Sequence, residues 1–585
     1  MRGTSRPDHC LYISHGALVT TAPDATVEES GEFSHKQIMA ILFGLLAGMF
    51  LAALDQTIVS TALKTIAGDF KAFEAIPWVV TAYMLLATAS TPLYGKVSDI
   101  FGRRPVFLFS IGVFLVGSVL AAFSQNMTQL IIFRGVQGLG AGGLMPLAFI
   151  IISDIVPPRQ RGKYQGYFGA VFGLSSVVGP LLGGFLTDSV SWRWCFWVNI
   201  PVGLVAIYLV VKHLHLPHHH QKVKIDYFGA ALLVGAVSSL LLALEFGNSD
   251  GWGSTSIITY FVVAAALTAI FIWWEFRVDD PILPLRIFQN KVVTTTTIVG
   301  VVIGFGMFGA IIYVSQYLQI EKGLSATEAG LAIIPMVVGI MSASIGSGNL
   351  ITKLGKYKMF IVGGTAILVL AMFLFSTVER GTSMWVFSLY MLVLGLGLGC
   401  CMQNLVLAAQ NAVTGRDLAV VTSTGTFMRQ LGGTMGVAIF GSILNGTFVT
   451  SVAAPLAAAK PGIEQKIAQA HQLVQAAASG QLPPGVSQAQ VEGAKQLLAM
   501  PDVTANELQK LLASTDAINS VGHLSPGLKD GILDAFVEAM QAVYHFAIPV
   551  MIVGFLFALL VKQLPMRNSS AMADRMKEAR AEGLA

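Results

Sequence analysis

Asp55 stands alone as a carboxylate in the apolar run AALDQTIVSTAL (52–63). An ionisable group placed in hydrocarbon costs at least about 2.5–3.5 kcal/mol, so it is expected to face a cavity and to have a partner. Arg134 stands in a second apolar run, and each residue lies about six positions, or roughly 9 Å, from the same end of its helix. Arg429 falls near the middle of a third run. A cation there must face protein or water, which leaves lining a cavity and pinning a helix as equal alternatives. A further group is GKVSDIFGRRP (95–105), where Gly95, Asp99, Gly102, Arg103 and Arg104 form G-x-x-x-D-x-x-G-R-R, with Asp154 available as a partner for Arg103 or Arg104. No nucleophile–base pair, metal-ligand spacing or Walker lysine motif occurs, so neither an enzyme, a cofactor nor a metal is expected. GLGLG (395–399) lies inside an apolar run with no preceding strand and reads as helix packing.

The elements that hold these residues are membrane helices. Of 585 residues 54% are hydrophobic and only 12% charged, too few charges to cover a soluble surface. The net charge of +4 argues against nucleic acid, and four cysteines without ligand spacing argue against a disulfide or zinc framework. Stretches of about 20 apolar residues are long enough to cross a bilayer. Fourteen are expected, from 38–61, 75–95 and 105–124 through to 418–444 and 540–562, with no cleavable leader before the first. One set of alternate loops carries sixteen Lys and Arg and the other five, which places the rich set and both termini in the cytoplasm. About ninety residues, 446–539, separate the last two spans on the outer side; Leu533, Phe536, Met540 and Val543 predict an amphipathic helix leading into the final span. That segment reads either as a loosely ordered helical loop or as a cap that docks a cell-envelope partner or guides substrate.

GNLITKLGKYK (348–358) repeats the offsets of GKVSDIFGRRP, with Gly348, Gly355 and Lys356 in place and Thr352 where Asp99 stood. A strong and a weak copy at equivalent turns indicate two related halves. LDQTIVSTAL (54–63), the 95–105 loop, RGVQGLGAGG (134–143), GLSSVVGPLLGG (173–184) and SWRWCFWVNIPVG (191–203) follow in order. Together they resemble the major facilitator superfamily, specifically its fourteen-span drug:proton antiporters.

The resemblance implies an all-α polytopic fold of two six-helix bundles, 38–211 and 292–562, with a two-helix hairpin at 226–275 inserted between them and polar tails at 1–37 and 563–585. It implies that Asp55 and Arg134 meet beside the cavity. Burial disfavours a charged carboxylate and a nearby guanidinium favours it, so protonation of Asp55 would follow local wetness; a purely structural ion pair is the alternative. It also implies that Asp99 caps a neighbouring helix and pairs with arginine across the interface between the halves, making the loop a gate latch on the inner side; a basic loop that only sets topology is the alternative. Gly173, Gly179, Pro180, Gly183 and Gly184 carry the antiporter motif, expected to kink helix five and let it pack closely. Tyr313, Gln316, Tyr317, Gln403 and Asn404 either line a greasy substrate cavity with Arg429 or belong to ordinary packing. The function implied is proton-driven export of amphipathic compounds, cationic or neutral, across the cytoplasmic membrane. The alternatives are an exporter dedicated to one lipid or natural product and a transporter-like scaffold without flux.

Overall fold

The computed structural model describes residues 34–72, 75–215, 226–413, 417–478, 526–568 and 570. Within them the chain forms sixteen α-helices and no strand. Helices α1 (His35–Phe70), α2 (Ile76–Phe101), α3 (Arg103–Ala122), α4 (Met127–Ile155), α5 (Pro158–Ser189), α6 (Trp194–Trp197) and α7 (Asn199–His213) make the first half. Helices α8 (Tyr227–Asp250) and α9 (Thr255–Glu275) form the inserted hairpin. The second half contains α10 (Lys291–Ile320), α11 (Ala326–Ala332), α12 (Ile334–Leu354), α13 (Lys358–Ser376), α14 (Met384–Asn411), α15 (Leu418–Ala478) and α16 (Pro526–Leu560).

Short polar residues start many of these helices by satisfying amide groups that have no partner in the first turn. Ser34 and Ser325 make full capping boxes with Gln37 and Glu328, while Asn126, Asp226, Ser254, Asn290 and Ser383 each accept from a first-turn amide. Thirteen helical stretches among the described residues are long and apolar enough to cross a membrane. The expected span at 75–95 is the exception. It forms α2, 26 residues long, with Thr81, Thr88, Ser90 and Thr91 buried. Thr91 Oγ1 donates to Ala87 O of its own helix at 2.8 Å and to Gly142 O of α4 at 3.1 Å.

Each half has its own apolar core. The first gathers around Leu45, Phe107, Phe114 and Ile151, the second around Tyr317, Phe375, Phe387 and Tyr544. The hairpin joins the seam between them, with Leu233, Val237 and Phe271 packed beside Ala89 of α2 and Phe427 of α15. Described hydrogen bonds between the halves gather at the end of the bundle that carries the arginine-rich turns, called here the basic end. There Gln410 Nε2 of α14 donates to Phe149 O of α4 at 3.3 Å, and Gln165 Nε2 of α5 donates to Gln410 Oε1 at 3.3 Å. The segment after α16 crosses this end as a strap: Gln563 Oε1 accepts from the Tyr357 and Lys358 amides, and Arg567 O accepts from the Arg159 amide at 3.3 Å.

At the opposite end α15 runs on without a break to Ala478, 61 residues in all. At 1.5 Å per residue that is about 90 Å, far beyond a bilayer's hydrocarbon. Its Phe448 and Val452 are buried in the same core as Leu528, Ile532 and Phe536 of α16, and Leu533, Met540 and Val543 share that buried side. Residues 479–525 of the expected outer segment, and the 1–33 part of the amino-terminal tail, lie outside the described residues.

Candidate functional site

Five helices converge on Asp55. Its Oδ2 lies 2.5 Å from Arg134 Nη1 on α4, and its Oδ1 accepts from Gln137 Nε2 at 2.7 Å and from Asn199 Nδ2 of α7 at 2.8 Å. Arg134 Nη1 also donates to Gln137 Oε1 at 2.7 Å, and its guanidinium stacks 4.2 Å from the centre of the Tyr83 ring on α2. Asn199 Nδ2 reaches Ser118 Oγ on α3 at 2.9 Å, and Ser118 in turn donates to Phe196 O. Charge-assisted bonds of this kind are about twice as strong as neutral ones, and a buried pair holds only when its remaining lone pairs are satisfied.

The expectation that Asp55 faces a cavity needs correction. Asp55 is 0% exposed, Arg134 2% and Asn199 0%, so the pair is enclosed within the first half. Position alone explains the enclosure. Gln137 is one turn beyond Arg134 on the same face of α4, and Asn199 begins α7 directly after the tight α6 turn, so both aim at the carboxylate. Gln137, Asn199 and Ser118 were missed from sequence. They are uncharged, and a polar amide in an apolar run does not announce which way it points. The signal was present in RGVQGLGAGG and FWVNIPVG, each of which carries one polar amide in an apolar stretch.

The basic-end turn separates its two arginines. Arg103 is buried: Nε donates to Asp154 Oδ2 at 2.8 Å, Nη1 to Ser98 Oγ at 2.6 Å, and Nη2 lies 2.7 Å from Asp99 Oδ1. Arg104 is outside this cluster and donates to Val211 O at the end of α7 at 2.8 Å. The turn is possible because Gly102, with φ of 92°, joins α2 to α3 in a conformation that L side chains rarely adopt. Asp99 thus forms an ion pair with Arg103 of its own half, four residues along the chain. What meets the other half here is Gly95, whose α-carbon lies so close to Ser423 and Ala419 of α15 that a methyl would collide.

On α5 the five motif residues serve two interfaces. Gly179 and Gly183 press against Thr57, Ile58 and Thr61 of α1, and Thr57 Oγ1 donates to Ser175 O at 3.0 Å. Gly173 faces Val337 of α12, Gly184 faces Thr327 of α11, and Pro180 rests on Gly330. The helix is continuous from Pro158 to Ser189 with Pro180 inside it.

The candidate cavity residues divide. Tyr313 and Tyr317 are core residues of the second half: the first donates to Val437 O at 3.3 Å, and the second stacks on Phe387 and donates to Glu379 O. They do not line an open cavity. Gln316 is half-buried on the same helix. Gln403 accepts from Ser344 Oγ of α12 at 3.3 Å and closely faces Gly169 of α5, which places it at the seam of the halves. Asn404 donates to Ser347 Oγ at 3.1 Å and to Cys400 O. Arg429 is 7% exposed and lies along α10, where a methyl on Gly304 would stand 3.2 Å from its Cγ. Among the described residues no group of His, Cys, Asp and Glu could hold a metal ion.

Comparison with known proteins identifies the family. The family model described as Major Facilitator Superfamily matches residues 45–437. Multidrug transporter protein MdtP of Bacillus subtilis (strain 168) is 34% identical over 553 residues, covering 93% of this chain and 96% of that protein. Multidrug resistance protein 3 of the same strain is 36% identical over 451 residues, covering 76% and 88%. The solved structure of the proton:xylose symporter XylE superposes with a TM-score of 0.51 over 70% of this chain and 89% of that one, at 16% identity, a likeness of fold. With a family match spanning about two thirds of the chain, a relative alike over nearly its whole length and a shared helical architecture, this multi-span membrane protein belongs to the Major Facilitator Superfamily.

Proposed function

We propose that the protein exports amphipathic compounds from the cell in exchange for protons, by alternating access of its two halves to either side of the plasma membrane. Its similarity to proteins named as multidrug transporters supports the efflux direction and the substrate class. The excess of Lys and Arg supports a cytoplasmic basic end and cytoplasmic termini, which puts the segment 446–539 outside.

The observation that carries the proton reading is the enclosed contact of 2.5 Å between Asp55 and Arg134. A proton arriving at Asp55 removes the charge that binds Arg134 to α1. Arg134 then keeps Gln137 Oε1 and the face of Tyr83, both on its own side of the break. Asp55 keeps Gln137 and Asn199 as donors to Oδ1. Neither residue is abandoned in low dielectric, so protonation can loosen α1 from α4 without breaking the bundle. Because α1 packs on α5 through Gly179 and Gly183, and α5 packs on α11 and α12, a shift of α1 bears on the seam between the halves. The contacts through Gln165, Gln410 and Phe149 hold that seam together at the basic end. The test is a pH gradient imposed on proteoliposomes: wild-type protein should drive dye movement against its gradient, and Asp55→Asn should not.

A further inference from the structure

Four arginines of the described chain are buried, and three of them hold polar partners. Arg134 holds Asp55, Arg103 holds Asp154 and Asp99, and Arg161 donates to Val156 O at 2.8 Å and Ser153 O at 2.6 Å. Arg429 differs. Its guanidinium, on a side chain more than nine-tenths buried, makes no hydrogen bond, ion pair or ring contact with any described residue. The acids show the reverse pattern. Buried Asp55, Asp154, Asp226 and Glu275 all have donors: Asp226 accepts from Gly229 N and Trp274 Nε1, and Glu275 from the amides of Ile282 and Leu283. The interior therefore holds one uncommitted positive charge and no matching uncommitted negative one among the described residues.

Its surroundings give that charge room. Arg429 is eleven residues into α15 and Gly304 thirteen into α10, so both sit near mid-membrane. Gly304 has no side chain, which lets the α15 backbone at Arg429 press against α10, with the arginine Cγ beside the same contact. One turn nearer the basic end, Gly425 on α15 and Gly300 on α10 have no atom within 4 Å of where a Cβ would stand, although Gly300 is buried. The next residue, Gln430, faces α2, where Thr91 Oγ1 is 3.4 Å from its Oε1, so Arg429 lies beside the seam between the halves. An intramembrane cation next to open space and the seam fits a ligand group better than it fits a helix pin, because a pin needs a partner on the helix it holds.

We infer that Arg429 anchors an anionic group of the transported compound, so that lipophilic organic acids are among the substrates. A carboxylate, sulfonate or phenolate can take two parallel bonds from a planar guanidinium. A lipophilic cation would meet repulsion at this position, contrary to the cationic class expected from the sequence. The inference takes the word substrate from the efflux reading, but the binding it asserts is independent of proton coupling.

The test uses full-length protein in detergent and two probes of one shape, 5-dimethylaminonaphthalene-1-sulfonate and its uncharged sulfonamide. Binding is followed by their fluorescence. Arg429→Gln should weaken sulfonate binding by about tenfold or more while sulfonamide binding changes by less than about twofold. Arg429→Lys keeps a cation and should retain a good part of the sulfonate affinity, and it carries the test if the glutamine variant does not fold. Equal loss of both probes in either variant, unchanged sulfonate affinity in Arg429→Gln, or wild-type protein that binds no sulfonate would each overturn the anchor. Wild-type protein that binds the sulfonate but moves neither probe against an imposed pH gradient would instead sink the export reading and leave the anchor standing.

Discussion

Asp55 Oδ2 and Arg134 Nη1 stand 2.5 Å apart, and neither side chain is more than 2% exposed. The contact ties α1 to α4 inside one half of the transporter, with Gln137 and Asn199 completing the shell of the carboxylate. A proton acting here changes the cohesion of a single half before it changes the contact between halves.

The two arginines of the 95–105 loop should respond unequally. Arg103→Gln leaves Asp154 buried without its cation, and breaking such a pair costs about 3–5 kcal/mol. Arg104→Gln gives up one exposed bond to Val211 O and should cost about 0.5–1.5 kcal/mol. Melting of both purified variants checks the order. Equal melting temperatures would show that the buried cluster does not organise this turn.

Close packing of α5 on α1 should be intolerant of a single methyl. Gly179→Ala meets Thr57, and overpacking of this kind costs about 1–3 kcal/mol. Gly346→Ala, on α12 with no atom within 4 Å of the added carbon, should be neutral or slightly stabilising by helix propensity. The pair is compared by thermal melting and by yield of folded protein.

Glu321, in the turn after α10, gives a stability change with a defined sign. Burial holds its carboxyl above the ordinary value of 4.5, against smaller opposing contributions from the Gly381 amide, Lys322 and Arg380. The native state therefore keeps a proton that the unfolded chain releases, and stability falls as pH rises through the interval above 4.5. Glu321→Gln should raise the melting temperature at pH 7 by about 1 °C, and the gain should vanish below pH 4.5. A gain that grows on acidification would contradict this sign.

Much of the architecture was legible because membrane helices declare themselves by length and apolarity, and charges inside them declare themselves by cost. Asp55 and Arg134 could be put at one depth from spacing, the family resemblance set their helices side by side, and Asp154 stood as a partner for Arg103 or Arg104. Side-chain direction was not legible. Helices such as α4 and α10 are apolar nearly all round, so no stripe shows which face is inward, and Tyr313 and Tyr317 read equally well as cavity or core. The structure puts both in the core. The same ambiguity hid Gln137 and Asn199. The pairing of Asp99 with Arg103 has a local cause: Arg103 is four residues along the chain, and the Gly102 turn returns it to Asp99 and Asp154.

The central claim is that Asp55 takes up and releases the transported proton. Proteoliposomes with an inward-acting pH gradient, loaded with a fluorescent amphipathic dye, test it directly when wild type is compared with Asp55→Asn of matched orientation and folding. The expected result is uphill dye movement by wild type, with the asparagine variant losing it by tenfold or more, about 1.4 kcal/mol or greater of coupling, while still binding dye. Undiminished uphill movement by Asp55→Asn would contradict the account.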